Sequence, residues 1–345
     1  MSTIILGLLT VVLLFVVILQ ISKASELITA LKDSKEEKDN HHKAAIFLSV
    51  IGFGILIYSV LTPFLSHKKF LPPPASLQGH WIQTCINITL LFTGIVFVIT
   101  QLLLFYFVYK YHYRKDRKAY FYADDNRLEI AWTVVPAIVL TILVGVGIQK
   151  WFKIFSPVPK EAITIEATGK QFAWIIRYPG PDRELGMRDF TLVNADNELG
   201  VNWNQKASQD DFLADEIVLP VNVPVSVNIG ALDVIHDFYL PQFRMMLDAV
   251  PGIPTHFWFT PVTTTKEMRK ITNNPDFDYV LACNKLCGSG HYNMQKKIRI
   301  VTKEEYQAWL STQTSYYDKV IRPAMEEAKK AATTAMVEPA AAETK

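Results

Sequence analysis

Long stretches without a charged side chain constrain this sequence more than any other feature. Such runs occupy residues 1 to 22, 44 to 66, 81 to 109 and 130 to 149. A helix needs about 20 apolar residues to cross about 30 Å of hydrocarbon. Buried core helices are the alternative, but these usually carry a polar stripe at helical period. The sequence therefore predicts four transmembrane helices.

The first of these runs also has the length of a cleaved signal peptide. However, no basic residue precedes it, and no clear small-x-small cleavage motif follows before Lys23. We therefore expect a retained helix. The predicted membrane part then consists of an N-terminal helical pair at residues 1 to 66 and a helical hairpin at residues 81 to 151.

The distribution of Lys and Arg predicts the orientation of the helices, because basic residues that flank short loops stay in the cytoplasm. Loops 23 to 43 and 110 to 127 hold eleven such residues, whereas loop 67 to 80 holds two. Trp81 and Trp151 fall where an interfacial aromatic belt is expected. The chain is therefore predicted to be a multi-pass inner (cytoplasmic) membrane protein with its N-terminus and its second half on the periplasmic side.

Beyond residue 160 the hydrophobic pattern changes from that of helices to that of strands. Short apolar segments, several of them alternating and interrupted by Pro, Gly and Asn, are typical of antiparallel strands. The segments are 163 to 167, 217 to 229, 255 to 262, 278 to 282 and 297 to 301. They predict an all-β sandwich or barrel over residues 160 to 302. A helix from Lys303 to Lys329 and a disordered Ala-rich tail are expected in residues 303 to 345.

Composition excludes two classes of protein. Lys and Arg number 35 against 33 Asp and Glu, and no basic stripe with interleaved aromatic residues occurs, so nucleic acid is not an expected partner. Three cysteines are too few, and odd in number, for the framework of a disulfide-rich secreted domain.

The cysteine-containing segment at residues 281 to 294 is the most informative motif. Its sequence, LACNKLCGSGHYNM, brings together Cys283, Cys287, His291 and Met294. Thiolate, imidazole and thioether donors together favour copper, with Met as a weak axial ligand, whereas zinc seldom recruits Met. A disulfide between the two cysteines is the alternative in an oxidising compartment. The added His and Met favour copper.

A second imidazole is expected from elsewhere in the fold, as in other copper sites that combine Cys, His and Met. His236, in DVIHDFYLP at residues 233 to 241, is the candidate. A His flanked by Ile235 and Phe238 is more often a packed core residue. Its presence in the same chain as the cysteine loop favours a ligand instead, and His256 is expected to be structural.

With these motifs in place, residues 81 to 302 resemble subunit II of haem-copper cytochrome c oxidases. The resemblance rests on Cys-x3-Cys-x3-His-x2-Met paired with an upstream Asp-Val-x-His. It implies a cupredoxin-like Greek-key barrel on a transmembrane helical hairpin, and a binuclear copper centre called Cu-A. The implied copper ligands are His236, Cys283, the backbone carbonyl of Lys285, Cys287, His291 and Met294.

The resemblance also implies a function. The subunit would accept electrons from cytochrome c and pass them to haem in subunit I, where oxygen is reduced to water with proton pumping. Subunit I and other oxidase subunits would be its partners, and no catalytic residue would lie in this chain. Asp237, Phe238 and Met245 are candidates for the surroundings that tune the copper site.

Two other segments are similar to the family. Glu129, in EIAWTVVP, matches a Glu near the mouth of a proton-uptake pathway, although an interfacial carboxylate facing water is an equal alternative. Residues 169 to 174, GKQFAW, resemble the aromatic patch at which electrons enter. Phe172 stands where many members have Trp, so Trp174 is the retained tryptophan and a candidate, unless it is simply core.

The sequence departs from the family at two places. Lys285 stands where many members have a Glu that helps to hold a magnesium ion against subunit I, which puts the magnesium site in question. The first two helices are not part of the usual two-helix anchor. Gly52 and Gly54 lie on a small-residue face of the second helix, which predicts a contact with another membrane subunit or a respiratory supercomplex.

The electron donor is predicted to be a separate protein, because no Cys-x-x-Cys-His motif for a c-type haem occurs. The acidic residues at 210, 211, 215 and 216 are candidates for steering a basic cytochrome c, although a solvated acidic loop is the commoner meaning.

Three other functions fit the sequence less well. A copper-free quinol-oxidase subunit has no use for the full donor set. A membrane-anchored copper carrier needs an exposed, exchangeable site, and a nitrous oxide reductase needs a second large catalytic domain.

Overall fold

The computed structural model describes residues 2–31, 35–65, 71–114 and 116–337, and gives backbone alone for residues 2–12, 29–31, 35–39, 64 and 334–337. The chain divides into two compact units, residues 1–71 with 88–141, and residues 72–87 with 142–345. Four long helices come first: α1 (Ser2–Leu31), α2 (Lys35–Leu65), α3 (Leu77–Lys110) and α4 (Asn126–Ile154).

Three of these helices meet the length and hydropathy needed to span a membrane. Within the described residues, the spans are Asn40–Pro63, Leu77–Lys110 and Asn126–Ile154, with mean hydropathies of 2.4, 2.4 and 2.3. The first predicted span, residues 1 to 22, lies in α1, but the side chains of its first twelve residues lie outside the described set. The chain therefore has three apolar helices that satisfy the membrane criterion in its described part.

Helix α2 packs against α3 through one face. Ala45, Ser49, Gly52 and Leu56 are buried along this face, at helical spacing. The Ser49 hydroxyl donates a hydrogen bond to the Phe105 carbonyl at 3.0 Å. The ring of Phe105 lies so close to Gly52 that any β-carbon there would overlap it. Small residues at this position therefore let the two helices approach closely.

This packing corrects one expectation. Gly52 is expected from the sequence to face another subunit, but it contacts Phe105 of the same chain, whereas a β-carbon on Gly54 would have no described atom within 4 Å. The two glycines are two positions apart, so they lie about 200° apart around the helix and face different surroundings. Among the described residues, the space beside Gly54 is open and the space beside Gly52 is filled.

The second unit contains a ten-stranded β domain in two five-stranded sheets. One sheet has the order β3-β2-β1-β5-β8 and the other β4-β10-β9-β6-β7. The strands are β1 (Ile163–Lys170), β2 (Ala173–Tyr178), β3 (Phe212–Ala214), β4 (Ile217–Pro220), β5 (Val225–Ala231), β6 (His236–Leu240), β7 (Met245–Ala249), β8 (Thr255–Phe259), β9 (Tyr279–Cys283) and β10 (Gln295–Val301). The predicted all-β, cupredoxin-like fold on a helical anchor is confirmed.

Strand pairing differs from the expected all-antiparallel arrangement at two places. Strand β1 pairs with β5, and β10 with β4, in parallel. Parallel neighbours need a long connection, and more than 50 residues separate the members of each pair. The connections cross between the sheets, so both sheets are mixed, and the two inner faces close on one core.

The core between the sheets is built from large apolar side chains. Trp174, Tyr178, Phe238, Phe243 and Tyr279 are each at most 2% exposed. Tyr178 stacks on Phe212 at 5.1 Å, and its hydroxyl donates to the Val218 carbonyl at 2.9 Å. Burial of such rings contributes several kcal/mol, at about 25 cal/mol per Å² of apolar surface. The core therefore fixes the strands that carry the site.

Two of the four residues in the predicted acidic stretch, Asp211 and Glu216, form ion pairs. Asp211 is fully buried and accepts a hydrogen bond from Arg177 at 2.7 Å, and Arg177 also pairs with Glu166 at 2.6 Å. Burial raises the pKa of Asp211 to about 6 despite the favourable charge of Arg177. Glu216 forms a bidentate pair with Arg299. Asp211 and Glu216 are therefore held by the fold, whereas Asp215 is exposed.

Helices flank the β domain on its C-terminal side and between β8 and β9. Helix α5 (Thr265–Thr272) begins at a Thr264 capping box, and α6 (Lys303–Leu310) at a Thr302 capping box. Helix α7 (Arg322–Val337) follows a π-helical turn. The segment predicted as one helix, Lys303 to Lys329, thus contains α6, the π-helical turn and the start of α7, and residues 338 to 345 of the predicted disordered tail lie outside the described residues.

Gly52→Leu should destabilise the chain, because the added side chain must displace the Phe105 ring and separate α2 from α3. Overpacking of this kind costs about 1–3 kcal/mol. Gly54→Leu is the matched control, since it gains the same helix propensity in open space. In thermal unfolding of the purified protein in detergent, Gly52→Leu should melt below Gly54→Leu. Equal melting temperatures would contradict the packing.

Candidate metal centre

Four of the predicted donor side chains lie at the end of β9 and in the loop that leads from β9 to β10. Cys283 is the last residue of β9, and Met294 directly precedes β10. The two strands are antiparallel neighbours, and the Cys283 N–H donates to the Met294 carbonyl at 3.1 Å. A one-turn 3-10 helix at His291–Asn293 folds the end of the loop inward. Strand pairing therefore brings the two ends of the motif together.

The donor atoms converge around the two thiols. The Cys283 and Cys287 sulfurs are 3.9 Å apart. The Cys287 sulfur lies 3.5 Å from His291 Nδ1 and 3.9 Å from the Met294 sulfur. The Lys285 carbonyl oxygen lies 3.2 Å from the Cys283 sulfur. Cys283, Cys287 and Met294 are at most 9% exposed, so the donors form a largely dry cluster.

The fifth donor side chain comes from β6, on the other side of β9. Phe238 of β6 pairs with Cys283, which places His236, two residues earlier, beside the start of the loop. His236 is fully buried, and its Nδ1 lies 3.9 Å from the Cys283 sulfur. A β-carbon on Gly169 would come within 2.9 Å of the imidazole. Glycine at this position therefore gives the ring its room.

Asp233 orients the His236 ring, and the sequence interpretation did not assign it this role. Its carboxylate lies 2.8 Å from His236 Nε2 and accepts the Gln171 N–H at 2.7 Å. Burial works against ionisation, but hydrogen bonds from Gln171, His236 and Val234 outweigh it and lower the pKa of Asp233. Because a carboxylate accepts the Nε2 proton, the lone pair of Nδ1 points to the thiols.

The donor set fits a soft metal ion. Metal–sulfur bonds of about 2.3 Å and metal–imidazole bonds of about 2.0 Å place shared donors about 3.3–4 Å apart, and the sulfur–sulfur and sulfur–nitrogen distances given above, 3.5–3.9 Å, fall in this range. His236, Cys283 and Cys287 offer atoms within 4.8 Å of one another. Two thiols, two imidazoles and a thioether are a set that selects copper. The identity of the ion rests on this donor chemistry.

The two cysteines are free thiols, which excludes the disulfide alternative for this structure. Their sulfurs are 3.9 Å apart, whereas a disulfide bond is about 2.05 Å long. Burial, and then the neighbouring Cys283, raise the pKa of Cys287 to about 11. Thiols bind metal ions as thiolates, so metal binding at this cysteine is coupled to proton release.

The predicted aromatic patch divides into an exposed and a buried residue. Phe172 is 36% exposed, and its ring lies against Gly288 and Gly290 of the cysteine loop. The adjacent Gln171 side chain donates to the Cys287 carbonyl at 2.6 Å. Trp174 is 2% exposed and lies edge-on to His236, with ring centroids 6.1 Å apart. Only Phe172 can therefore touch another protein at the surface.

Three predicted neighbours of the site belong to the same sheet. Phe238 and Met245 are at most 2% exposed, and Asp237 is 3% exposed, directly after His236. Burial, and then the charge of Asp248, raise the pKa of Asp237. Two other residues named from the sequence belong to other elements. His256 is on β8 of the opposite sheet, and Glu129 is exposed in the first turn of α4.

The chain matches two family models that together cover most of it. "Cytochrome C oxidase subunit II, transmembrane domain" matches residues 65–148, and "Cytochrome C oxidase subunit II, periplasmic domain" matches residues 163–301. The first match begins at the end of α2. Helix α1 and nearly all of α2 therefore precede the family's transmembrane domain. The second match spans β1 to β10.

Curated relatives carry the same description. The alternative cytochrome c oxidase subunit 2 of Bradyrhizobium diazoefficiens is 32% identical over 83% of this chain and 97% of its own length. Cytochrome c oxidase subunit 2 of Cereibacter sphaeroides is 30% identical over 69% of this chain and 76% of its own length.

Among solved structures, the crystal structure of the periplasmic domain of subunit II of cytochrome oxidase from Bradyrhizobium japonicum is 32% identical. The match covers 45% of this chain and 96% of the chain in the crystal structure, with a TM-score of 0.31.

Sequence and site lead to the same family. Apolar helices indicate membrane anchoring, and the β domain corresponds to the family's periplasmic domain. The Bradyrhizobium diazoefficiens relative is 32% identical and aligns over 97% of its length, so nearly all of that protein has a counterpart in this chain. The chain belongs to the cytochrome c oxidase subunit II family and is a subunit of a haem-copper oxidase.

Proposed function

We propose that this subunit receives electrons from a separate cytochrome c at a binuclear copper centre and delivers them to haem in subunit I, where oxygen is reduced to water with proton pumping. The observation that carries the proposal is the convergence of two buried free thiols with two imidazoles and a thioether. His236, Cys283, the Lys285 carbonyl, Cys287, His291 and Met294 would hold the copper. When bound, the copper pair supplies one-electron redox chemistry without making or breaking bonds in a substrate.

The chain's own residues support fast electron transfer in two ways. The donors are fixed by strand pairing and by hydrogen bonds such as Asp233 to His236, so they need little movement when the charge of the site changes. Their burial also keeps water away, and water would otherwise reorganise around the changing charge. A copper carrier has the opposite need for exposed donors, and Cys287 and Met294 are at most 6% exposed.

For electron entry from the donor we propose Phe172. Its exposed ring packs on the cysteine loop, and Gln171 next to it is hydrogen bonded to Cys287. Trp174 would act only behind the surface, since its buried ring contacts the imidazole of His236.

We also propose the membrane orientation that the basic loops favour, in an inner membrane with the N-terminus and the β domain on the periplasmic side. For Glu129 we propose a role near proton uptake, because it is exposed at the start of α4 next to the basic loop at 110 to 127. A supercomplex contact through the N-terminal helices stays a proposal, with the Gly54 side of α2 as the free side.

Copper quantitation with electron paramagnetic resonance tests the proposed function. The full-length chain, purified in detergent and loaded with copper, should hold two coppers with one electron shared across both nuclei. Cys287→Ser should abolish the shared signal, because it removes a thiolate central to the cluster. Cys85→Ser, at the remaining cysteine in α3, is the matched control and should keep it. A single localised copper in the unaltered protein would sink the proposal.

Asp233→Ala should weaken copper binding about 10- to 100-fold, the usual cost of losing the partner that orients a metal-binding histidine. The Gln171 N–H would also lose its acceptor. Competition with a copper chelator measures the affinity. Asp276→Ala, in a loop before β9, is the control and should leave the affinity unchanged. Equal affinities for the two variants would show that Asp233 has no orienting role.

Phe172→Ala should slow reduction of the purified oxidase by a lysine-rich cytochrome c about tenfold, since an exposed apolar anchor at an interface is worth roughly 1–2 kcal/mol. Stopped-flow absorbance gives the second-order rate constant. Phe190→Ala removes an equally large ring that is 88% exposed in a 3-10 turn between β2 and β3, and should change the rate less than about twofold. Similar rates for both variants would place electron entry elsewhere.

A further inference from the structure

Lys285 carries two distinct contacts on opposite sides of its backbone. Its carbonyl oxygen faces the Cys283 sulfur at 3.2 Å. Its side chain reaches Asp248 on β7, where the ammonium nitrogen lies 3.2 Å from both carboxylate oxygens. Lys285 therefore contacts a thiol through its backbone and places a positive charge at the edge of the β6–β7 hairpin through its side chain.

That edge carries two carboxylates that need a cation. Asp237 of β6 and Asp248 of β7 are paired directly across the antiparallel ladder. Directly opposite residues project to the same face, and like charges there are destabilising. Asp237 is 3% exposed, and one of its carboxylate oxygens has no hydrogen-bond partner among the described residues. A positive charge beside the pair is the simplest way to offset this repulsion.

Two kinds of cation fit beside paired carboxylates, a divalent metal ion or an ammonium group. A hard divalent ion needs about six oxygen ligands, and a third carboxylate at residue 285 would help to supply them. Lysine supplies no ligand in its charged form. Its ammonium also occupies both oxygens of Asp248 and repels a second cation. The residues present therefore do not fit the magnesium ion that the family resemblance implies.

We propose that the Lys285 ammonium is the built-in cation of this edge, and that the oxidase containing this chain holds no divalent ion between Asp237, Asp248 and residue 285. The charge is delivered by the loop that carries the thiols, so it is in place whenever the loop is folded. It does not depend on the supply of metal ion around the cell.

Manganese is the probe for the test, because it substitutes for magnesium and gives a paramagnetic signal. The oxidase complex is purified from cells grown with excess Mn²⁺, desalted, and analysed for manganese by resonance and elemental analysis. Lys285→Glu should gain one equivalent of Mn²⁺ over the unaltered complex, because it exchanges a repelling charge for a ligand. Asp248→Asn, made with Lys285 in place, should have the same manganese content as the unaltered complex.

Lys297→Glu is the matched control. Lys297 pairs with Asp278 at 2.7 Å and is 48% exposed, against 49% for Lys285, so the substitution makes the same charge change at a similar ion pair. It should gain no manganese. The inference is overturned if Lys285→Glu gains none, or if the unaltered complex holds an equivalent that Asp248→Asn removes. Copper content of the same samples tests the proposed function separately, so the two failures are distinguishable.

Discussion

The hydrogen bonds that join β6, β9 and β10 hold every donor side chain of the site. Strand β9 lies in the middle, with His236 delivered by β6 on one side and Met294 returned to β10 on the other. Slipping any of these strands by one residue would turn its donor to the opposite face of the sheet. The apolar core between the two sheets prevents such slips, because a slip would also turn the core side chains of that strand outward. Metal chemistry and fold stability therefore depend on the same register.

Much of the site could be predicted because its donors are concentrated in one short segment. Two cysteines, a histidine and a methionine between residues 283 and 294 specify soft donors wherever the loop lies. His236 lies 47 positions before Cys283, and only its motif indicated it. Asp233 was missed as an orienting residue, since its role depends on which ring nitrogen of His236 faces the thiols. That direction is a property of the folded structure alone.

Other errors share a physical cause, namely that a sequence does not show which distant segments meet. Strands β6 and β7 were not predicted, because their sequences, HDFYL and MMLDA, do not show a clear alternation of apolar and polar residues. The acidic stretch was a candidate for steering a basic cytochrome c, and the sequence did not show the ion pair of Asp211 because its partner, Arg177, lies 34 positions away. A buried ion pair of this kind costs several kcal/mol when one partner is removed, so these charges belong to the fold. Gly52 likewise contacts the ring of Phe105, which lies 53 positions later in α3.

The place of β10 in the sheet has a consequence for the order of events as the chain is made. This strand lies between β4 and β9, and it is the last strand of the β domain in the sequence. Until residue 301 has been made, the sheet that frames the cysteine loop cannot close. All the donor residues precede β10, so none of them is held by a complete sheet while the domain is being made. The donor set is therefore completed only when this last strand takes its place between β4 and β9.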